Sequence, residues 1–218
     1  MERIKSLKEK NNYVLLVCLI LTILLISTVT ACRKTELIGI IATSNIIVYP
    51  ITYVLVTYFR ELYGSKKTLK LLNVTLVCTL VSILLIYFSQ VFPSQGDDIL
   101  KGLYESNAQT ALALLTAFYF SQSVNLLIYN YLKYEKSIKF LLSSTIAVTL
   151  DSLVFAVIGN IGVMGFVDIF KLFTGVYIFN AFSLIFYSLI FSLLVKGLEE
   201  PKEKEDKKKN KKIKKAQK

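Results

Sequence analysis

Six apolar runs, each close to the length that crosses a bilayer, follow one another along a chain of 218 residues: 13–31, 37–59, 71–92, 108–132, 140–161 and 170–195. A hydrocarbon core about 30 Å thick takes roughly 20 apolar residues in a helix. Inside lipid the backbone must satisfy its own hydrogen bonds, which leaves helices or closed barrels. Runs this long select helices. The chain is 54% hydrophobic with mean hydropathy +0.56, well above an ordinary soluble domain. The expectation is an all-α integral membrane protein with six transmembrane helices. Residues 1–12 form an N-terminal tail, 13–195 the six-helix domain, and 196–218 a basic tail.

Charge sets the expected orientation. The N-terminal tail, residues 60–70, residues 133–139 and the C-terminal tail hold 22 of the 26 Lys/Arg; the alternate loops hold Arg33, Lys34, Lys101 and Lys171. Cytoplasmic loops carry the excess of Lys and Arg, so both termini are expected in the cytoplasm of a multi-pass inner or plasma membrane protein. Net charge is +11, but eleven of those basic residues lie from Lys196 onward. Nucleic acid is the first partner such a tail suggests. On a membrane protein, anionic lipid headgroups are the simpler one. Membrane lipids and a small-molecule substrate are the expected partners and nucleic acid is not; homo-oligomerisation stays open.

Composition also removes chemistry. Histidine is absent, which takes away triads, His-based general bases and most metal sites. Cys18, Cys32 and Cys78 are scattered, with no metal or disulfide spacing. No Gly-rich phosphate loop occurs. The expectation is no enzyme, no cofactor and no metal. Residues 29–32, Val-Thr-Ala-Cys, resemble a lipoprotein cleavage box. The preceding apolar run is longer than a signal peptide needs and further spans follow, so an uncleaved first helix is expected.

Asp151 is the residue that most asks for a function. It lies well inside the run 140–161, and no other carboxylate sits so deep in an apolar run. At the bilayer midplane an ionisable side chain costs a few kcal/mol or more, about, and normally faces a bundle interior or a watery cavity. Ser144, Val148, Asp151 and Phe155 share a helical face, with Thr145, Thr149 and Ser152 beside it. The bland reading is a helix-to-helix hydrogen bond; the functional one is a substrate or ion site. The second run is unusually polar and contains Pro50, which cannot bond the carbonyl of Ile46, so a kink or break is expected there. Tyr53, Thr57, Arg60 and Glu61 follow on one face. In the fourth run Gln122, Asn125 and Tyr129 share a face, and amides at membrane depth need partners. Residues 65–70 read as a basic loop, 71–92 as a scaffold helix, 93–106 as a polar loop, and the tail as disordered or loosely helical.

Polar faces on the second, fourth and fifth spans could converge on one cavity, beside a broken helix, as in many carriers. A carboxylate there suits a ligand with two adjacent N–H donors. Val48-Tyr49-Pro50-Ile51-Thr52-Tyr53 with Glu61-Leu62-Tyr63-Gly64 resembles the Pro…Glu-x-Tyr-Gly signature of the queuosine precursor transporters, also called the vitamin uptake transporter family. Ser121-Gln122 resembles that family's Ser-Gln element. Ser143-Ser144 with Asp151-Ser152 and Phe155 resembles its Ser-Thr…Asp-Ser…Phe element. The resemblance implies a secondary carrier of a 7-deazaguanine base, such as preQ0, preQ1 or queuine, salvaged for tRNA modification. Asp151 would read the base, with Gln122 as a polar contact. Asn125, Tyr53, Thr57, Ser144, Ser152 and Phe155 complete the expected substrate site. Pro50 would break the helix, and Glu61, Tyr63 and Gly64 would mark its cytoplasmic end. The family usually has Asp at the positions of Thr57 and Asn125, and often Arg near Gln109. The replacements imply a divergent member with altered specificity. Three other readings stand beside it: a substrate-binding subunit of an energy-coupling-factor vitamin transporter, which would need separate ATPase partners; a membrane-embedded enzyme; and a structural membrane protein without a ligand.

Overall fold

The computed structural model describes residues 2–31, 33–37, 40–89 and 107–216. Among the described residues the α-helices are α1 Glu2–Thr30, α2 Ile51–Tyr63, α3 Ser65–Ser89, α4 Asn107–Tyr131, α5 Lys136–Asn160 and α6 Phe166–Ala216. Between α1 and α2 lie two short strands, β1 Lys34–Leu37 and β2 Ile40–Thr43. Five helices hold stretches long and apolar enough to cross a membrane: Asn12–Thr30, Ser65–Ile86, Gln109–Tyr131, Lys136–Asn160 and Phe166–Gly197. Of these, α4 and α5 are the most buried and form the centre of the bundle. Large apolar side chains such as Leu85 and Phe88 on α3, or Phe182 and Leu193 on α6, face outward. Their outer surfaces are therefore of the kind that lipid covers.

The run 37–59 is not one helix. β1 and β2 pair antiparallel, Lys34 opposite Thr43 and Leu37 opposite Ile40. A 3-10 turn over Ser44–Ile46 follows, and α2 begins only after Pro50. Two local causes are visible in the sequence. The β-branched Ile40, Ile41 and Thr43 suit a strand. Pro50 has no N–H to give the Ile46 carbonyl, so helical bonding cannot run through it. With 13 residues, α2 is about 20 Å long, short of a full crossing. The helical expectation holds for most of the described residues, with one short hairpin added; five helices are long enough to cross, and the second run is broken at Pro50 as its sequence implies.

Irregular backbone at membrane depth survives only where protein covers it, and here α6 does so. The hairpin packs along α6, where Gly175 admits it: a Cβ at that position would overlap the carbonyl oxygen of Ile41. Further along, the Tyr187 hydroxyl donates to the Ile47 carbonyl at 2.8 Å. Thr52 Oγ1 donates to the Tyr49 carbonyl at 2.7 Å and Thr43 Oγ1 to Asn45 Oδ1 at 2.6 Å. Side chains of the break and of its neighbour thus supply part of the bonding that a continuous helix would have given.

A single residue, Gly64 at φ 82°, separates α2 from α3. A left-handed φ is cheap for glycine, so the reversal needs no longer loop. Residues 65–70, expected as a basic loop, are instead the first turns of α3, and Lys136 and Lys139 lie within α5. Helix α6 continues as helical backbone past residue 196 and through Pro201 to Ala216, so the tail opens without a break in secondary structure. The polar loop 93–106 and Cys32 lie outside the described residues.

Two contacts fix the antiparallel register of α4 and α5. Gly159 lies against Ala113, whose Cβ would be 3.2 Å from an added methyl, and Ser121 bonds Asp151. Eight residues separate the contact points on each helix. Helix α2 runs parallel to α4: Tyr53 meets Ser121, Thr57 meets Asn125, and Arg60 meets Asn130.

Candidate functional site

Asp151 sits at 1% exposure near the middle of α5, about 22 Å along the axis from Lys136 and about 13 Å from Asn160. Its neighbours come from the broken segment and from α4. The Tyr49 hydroxyl donates to Oδ1 at 2.6 Å, and Ser121 Oγ donates to the same oxygen at 3.2 Å. The Tyr53 hydroxyl in turn donates to Ser121 Oγ at 3.1 Å. The donors form a relay that ends on the carboxylate. Tyr49, Tyr53 and Ser121 are all essentially fully buried. The Tyr49 ring is held edge-on against Tyr53 and Phe118, with centroids 6.1 and 6.4 Å away. The Tyr49 bond is short for an O–H···O contact, while that from Ser121 is long. Among the described residues no Lys or Arg pairs with Asp151.

About one turn along, a second set of neutral polar groups continues the column. Asn125 Nδ2 donates to Thr57 Oγ1 at 3.3 Å and to Gln122 Oε1 at 3.5 Å. All three residues are fully buried. Here the satisfaction of polar groups fails. Gln122 Nε2, Asn125 Oδ1, Ser144 Oγ and Ser152 Oγ are buried and have no hydrogen-bond partner among the described residues. An unsatisfied buried donor or acceptor costs about 1–3 kcal/mol, and native structures hold few of them. Four of them lie on the stretches of α4 and α5 that flank Asp151; the hydroxyls of Ser27 and Thr79, elsewhere in the bundle, share the condition.

Of the residues expected at the site, the structure joins Asp151 to Tyr53 through Ser121, and Gln122 to Asn125 and Thr57. Ser144, Ser152 and Phe155 are buried on α5 with Asp151. Pro50 lies at the start of α2, beside Tyr49. Glu61, Tyr63 and Gly64 are not at the Asp151 level; they belong to a separate cluster at the end of α2. There Arg60 Nε and Nη2 donate to Asn130 Oδ1 at 3.1 and 2.6 Å, and Arg60 also pairs with Glu61. Lys136 reaches Glu61 at 3.3 Å, and Ser65 Oγ donates to Asn130 Oδ1 at 3.2 Å. The Arg60 guanidinium lies 4.6 Å from the Tyr129 ring centre, a cation–π contact. Tyr63 packs on Tyr13 and Phe59. Gln109 also stays away from Asp151. It donates to the carbonyls of Ile158 and Ile161 at the far end of α5, at 2.9 and 3.0 Å.

Tyr49 and Ser121 stand in the motifs, yet neither was expected as a partner of Asp151. The usable signal was Tyr49 beside Pro50: a hydroxyl-bearing aromatic at a break can leave the helix lattice and reach across. A separate groove of about 460 Å³ beside Ile47 is lined by Phe182, Phe186, Leu189 and other α6 residues. Its lining is almost wholly apolar, so it lacks the chemistry of the Asp151 region.

No curated protein and no solved structure matches the chain. A family model described as "Putative vitamin uptake transporter" matches residues 43–198. The match runs from the end of β2 to the point where α6 turns basic, and takes in both polar clusters. It covers well over half of the sequence, and the multi-pass helical fold agrees with it: this chain belongs to the vitamin uptake transporter family.

Proposed function

We propose that the chain is a secondary carrier importing a queuosine precursor, a 7-deazaguanine base such as preQ0, preQ1 or queuine, for salvage into tRNA. The observation that carries the proposal is Asp151. Tyr49 and Ser121 both donate to its Oδ1, and no described residue donates to Oδ2. A carboxylate held this way keeps lone pairs for a bidentate N–H pair. The amidine-like edge of a guanine-type ring presents such a pair. Gln122 Nε2, an unsatisfied donor, is suited to a ring carbonyl, and Asn125 Oδ1 to a further N–H.

The proposed site includes Tyr53, Thr57, Ser144, Ser152 and Phe155, on the helices that carry Asp151 and its donors. The basic end of the bundle, with Arg60, Lys136 and Lys139, faces the cytoplasm by the positive-inside rule. The broken segment supplies the discontinuous helix typical of midplane sites in carriers.

The test is queuosine in tRNA. A host lacking precursor synthesis and its own transporter, but holding the salvage enzymes for each precursor, expresses this chain. It then receives preQ0, preQ1 or queuine at low concentration. Recovery of modified tRNA with one precursor, lost in Asp151→Asn at equal membrane content, is the expected result. Normal recovery by Asp151→Asn removes the carboxylate from the site. No recovery with any precursor, by an inserted wild-type protein, removes the 7-deazaguanine substrate.

A further inference from the structure

Asn180 is a polar residue that none of the motifs includes. It lies on the inward stripe of α6 with Val176 and Leu184, at 2% exposure. Its Oδ1 has no hydrogen-bond partner among the described residues. An amide oxygen buried in a bundle is expected to find a partner.

Its depth is bracketed from three directions. Phe140 of α5 stacks on Phe191 of α6, ring centroids 4.5 Å apart. Asp151 lies eleven residues along α5 from that stack, and Asn180 eleven residues back along α6. Counting instead from the short connection between Asn160 and Phe166 places Asn180 level with Ile146, about one and a half turns from Asp151. The third bracket is the broken segment. It touches α6 at Gly175, through Ile41, and at Tyr187, through Ile47. Asn180 lies between those two contacts, on the part of α6 that runs past the segment leading to Tyr49.

We infer that Asn180 is a ligand contact of the site that holds Asp151, closing it from the α6 side with an acceptor. The ligand class that follows is a small polar molecule with hydrogen-bond donors on more than one edge. One edge meets the Asp151 carboxylate and another meets the Asn180 amide oxygen. The inference rests on the transport reading only for the identity of that molecule.

Two arms test it. In the first, Asn180→Leu keeps the branching and the number of side-chain heavy atoms and removes the orphaned amide. For a ligand contact, the concentration of precursor giving half-maximal uptake rises at least tenfold, while the melting temperature of the purified protein does not fall. Wild-type uptake by Asn180→Leu overturns the inference.

The second arm needs no substrate. Cys18, Cys32 and Cys78 are replaced by Ser, and Asp151→Cys, Asn180→Cys and the outward-facing Leu85→Cys are introduced one at a time. Each is exposed to a small charged methanethiosulfonate reagent. Modification at 151 and 180, with none at 85, is expected of one shared polar cavity. Failure to modify Asn180→Cys overturns the inference. Modification at both positions in a protein that carries no 7-deazaguanine leaves the shared site standing and removes only the proposed substrate.

Discussion

Helices α2, α4 and α5 carry two polar clusters, and the two are satisfied in opposite ways. At the basic end, Arg60, Glu61, Lys136, Asn130, Ser65 and Tyr129 answer one another: each cation has an anion, an amide oxygen or a ring beside it. About 10 Å along α2, Asp151 meets only the neutral donors Tyr49 and Ser121, while four nearby polar atoms bond to no described residue. A closed network is sufficient to hold helices together. An open one costs stability, and a fold keeps it when something else completes it. The comparison separates the residues that hold the bundle from those proposed to bind.

The sharpest way to break it is the same chemical change in both places. Asp151→Asn removes the charge but keeps the shape. Hydrogen bonds to a charged group are worth roughly 1.5–3 kcal/mol each, so losing a bidentate pair lowers uptake by about a hundredfold or more. Glu61→Gln should leave the half-saturating concentration unchanged. Measuring uptake against substrate concentration for both variants decides it; equal loss in the two would erase the distinction. Next in size is Tyr49→Phe. It deletes one donor to Asp151 Oδ1 without changing the ring packing against Tyr53 and Phe118. Affinity should fall about ten- to a hundredfold, since the carboxylate is no longer oriented. An unchanged affinity would mean that the relay from Tyr49 does not position Asp151.

Much of this was legible from the chain. Five of the six runs lie in full helices near their expected places, because apolar length between basic segments leaves lipid-spanning backbone few alternatives. Asp151 stood out for the same reason: a carboxylate in such a run has nowhere neutral to hide. In the second run the break at Pro50 is legible, but the hairpin before it is not, because apolar composition does not distinguish a helix from a covered hairpin. Ile40, Ile41 and Thr43 favour a strand, and only the packing on Gly175 reveals that α6 covers it. Asn180 is visible as a polar residue, but its orphaned oxygen and its depth, within about one and a half turns of Asp151, arise from tertiary register. The tightness of the α2–α3 reversal depended on the φ of Gly64, which a basic sequence after it disguised as a loop.

The smaller effects probe the closed cluster. Glu61→Gln loses its attraction to Arg60 and Lys136, yet Gln keeps an acceptor, and Arg60 keeps Asn130 and the Tyr129 face. Lys136 is 37% exposed, so the loss belongs nearer the surface range, about 1 kcal/mol, read as a small drop in melting temperature. A drop as large as a core cavity would make, about 3 kcal/mol, would show that the cluster is far more than a local clamp. Smallest of all is removal of residues 201–218. This stretch holds ten of the Lys residues and, apart from Ile213, no large apolar side chain, so it offers the bundle almost nothing to bury. It follows the matched segment, which ends at 198. Uptake by the truncated protein should equal that of the full chain at equal membrane content. A loss of transport in a stably inserted truncation would instead tie the tail to the transport cycle.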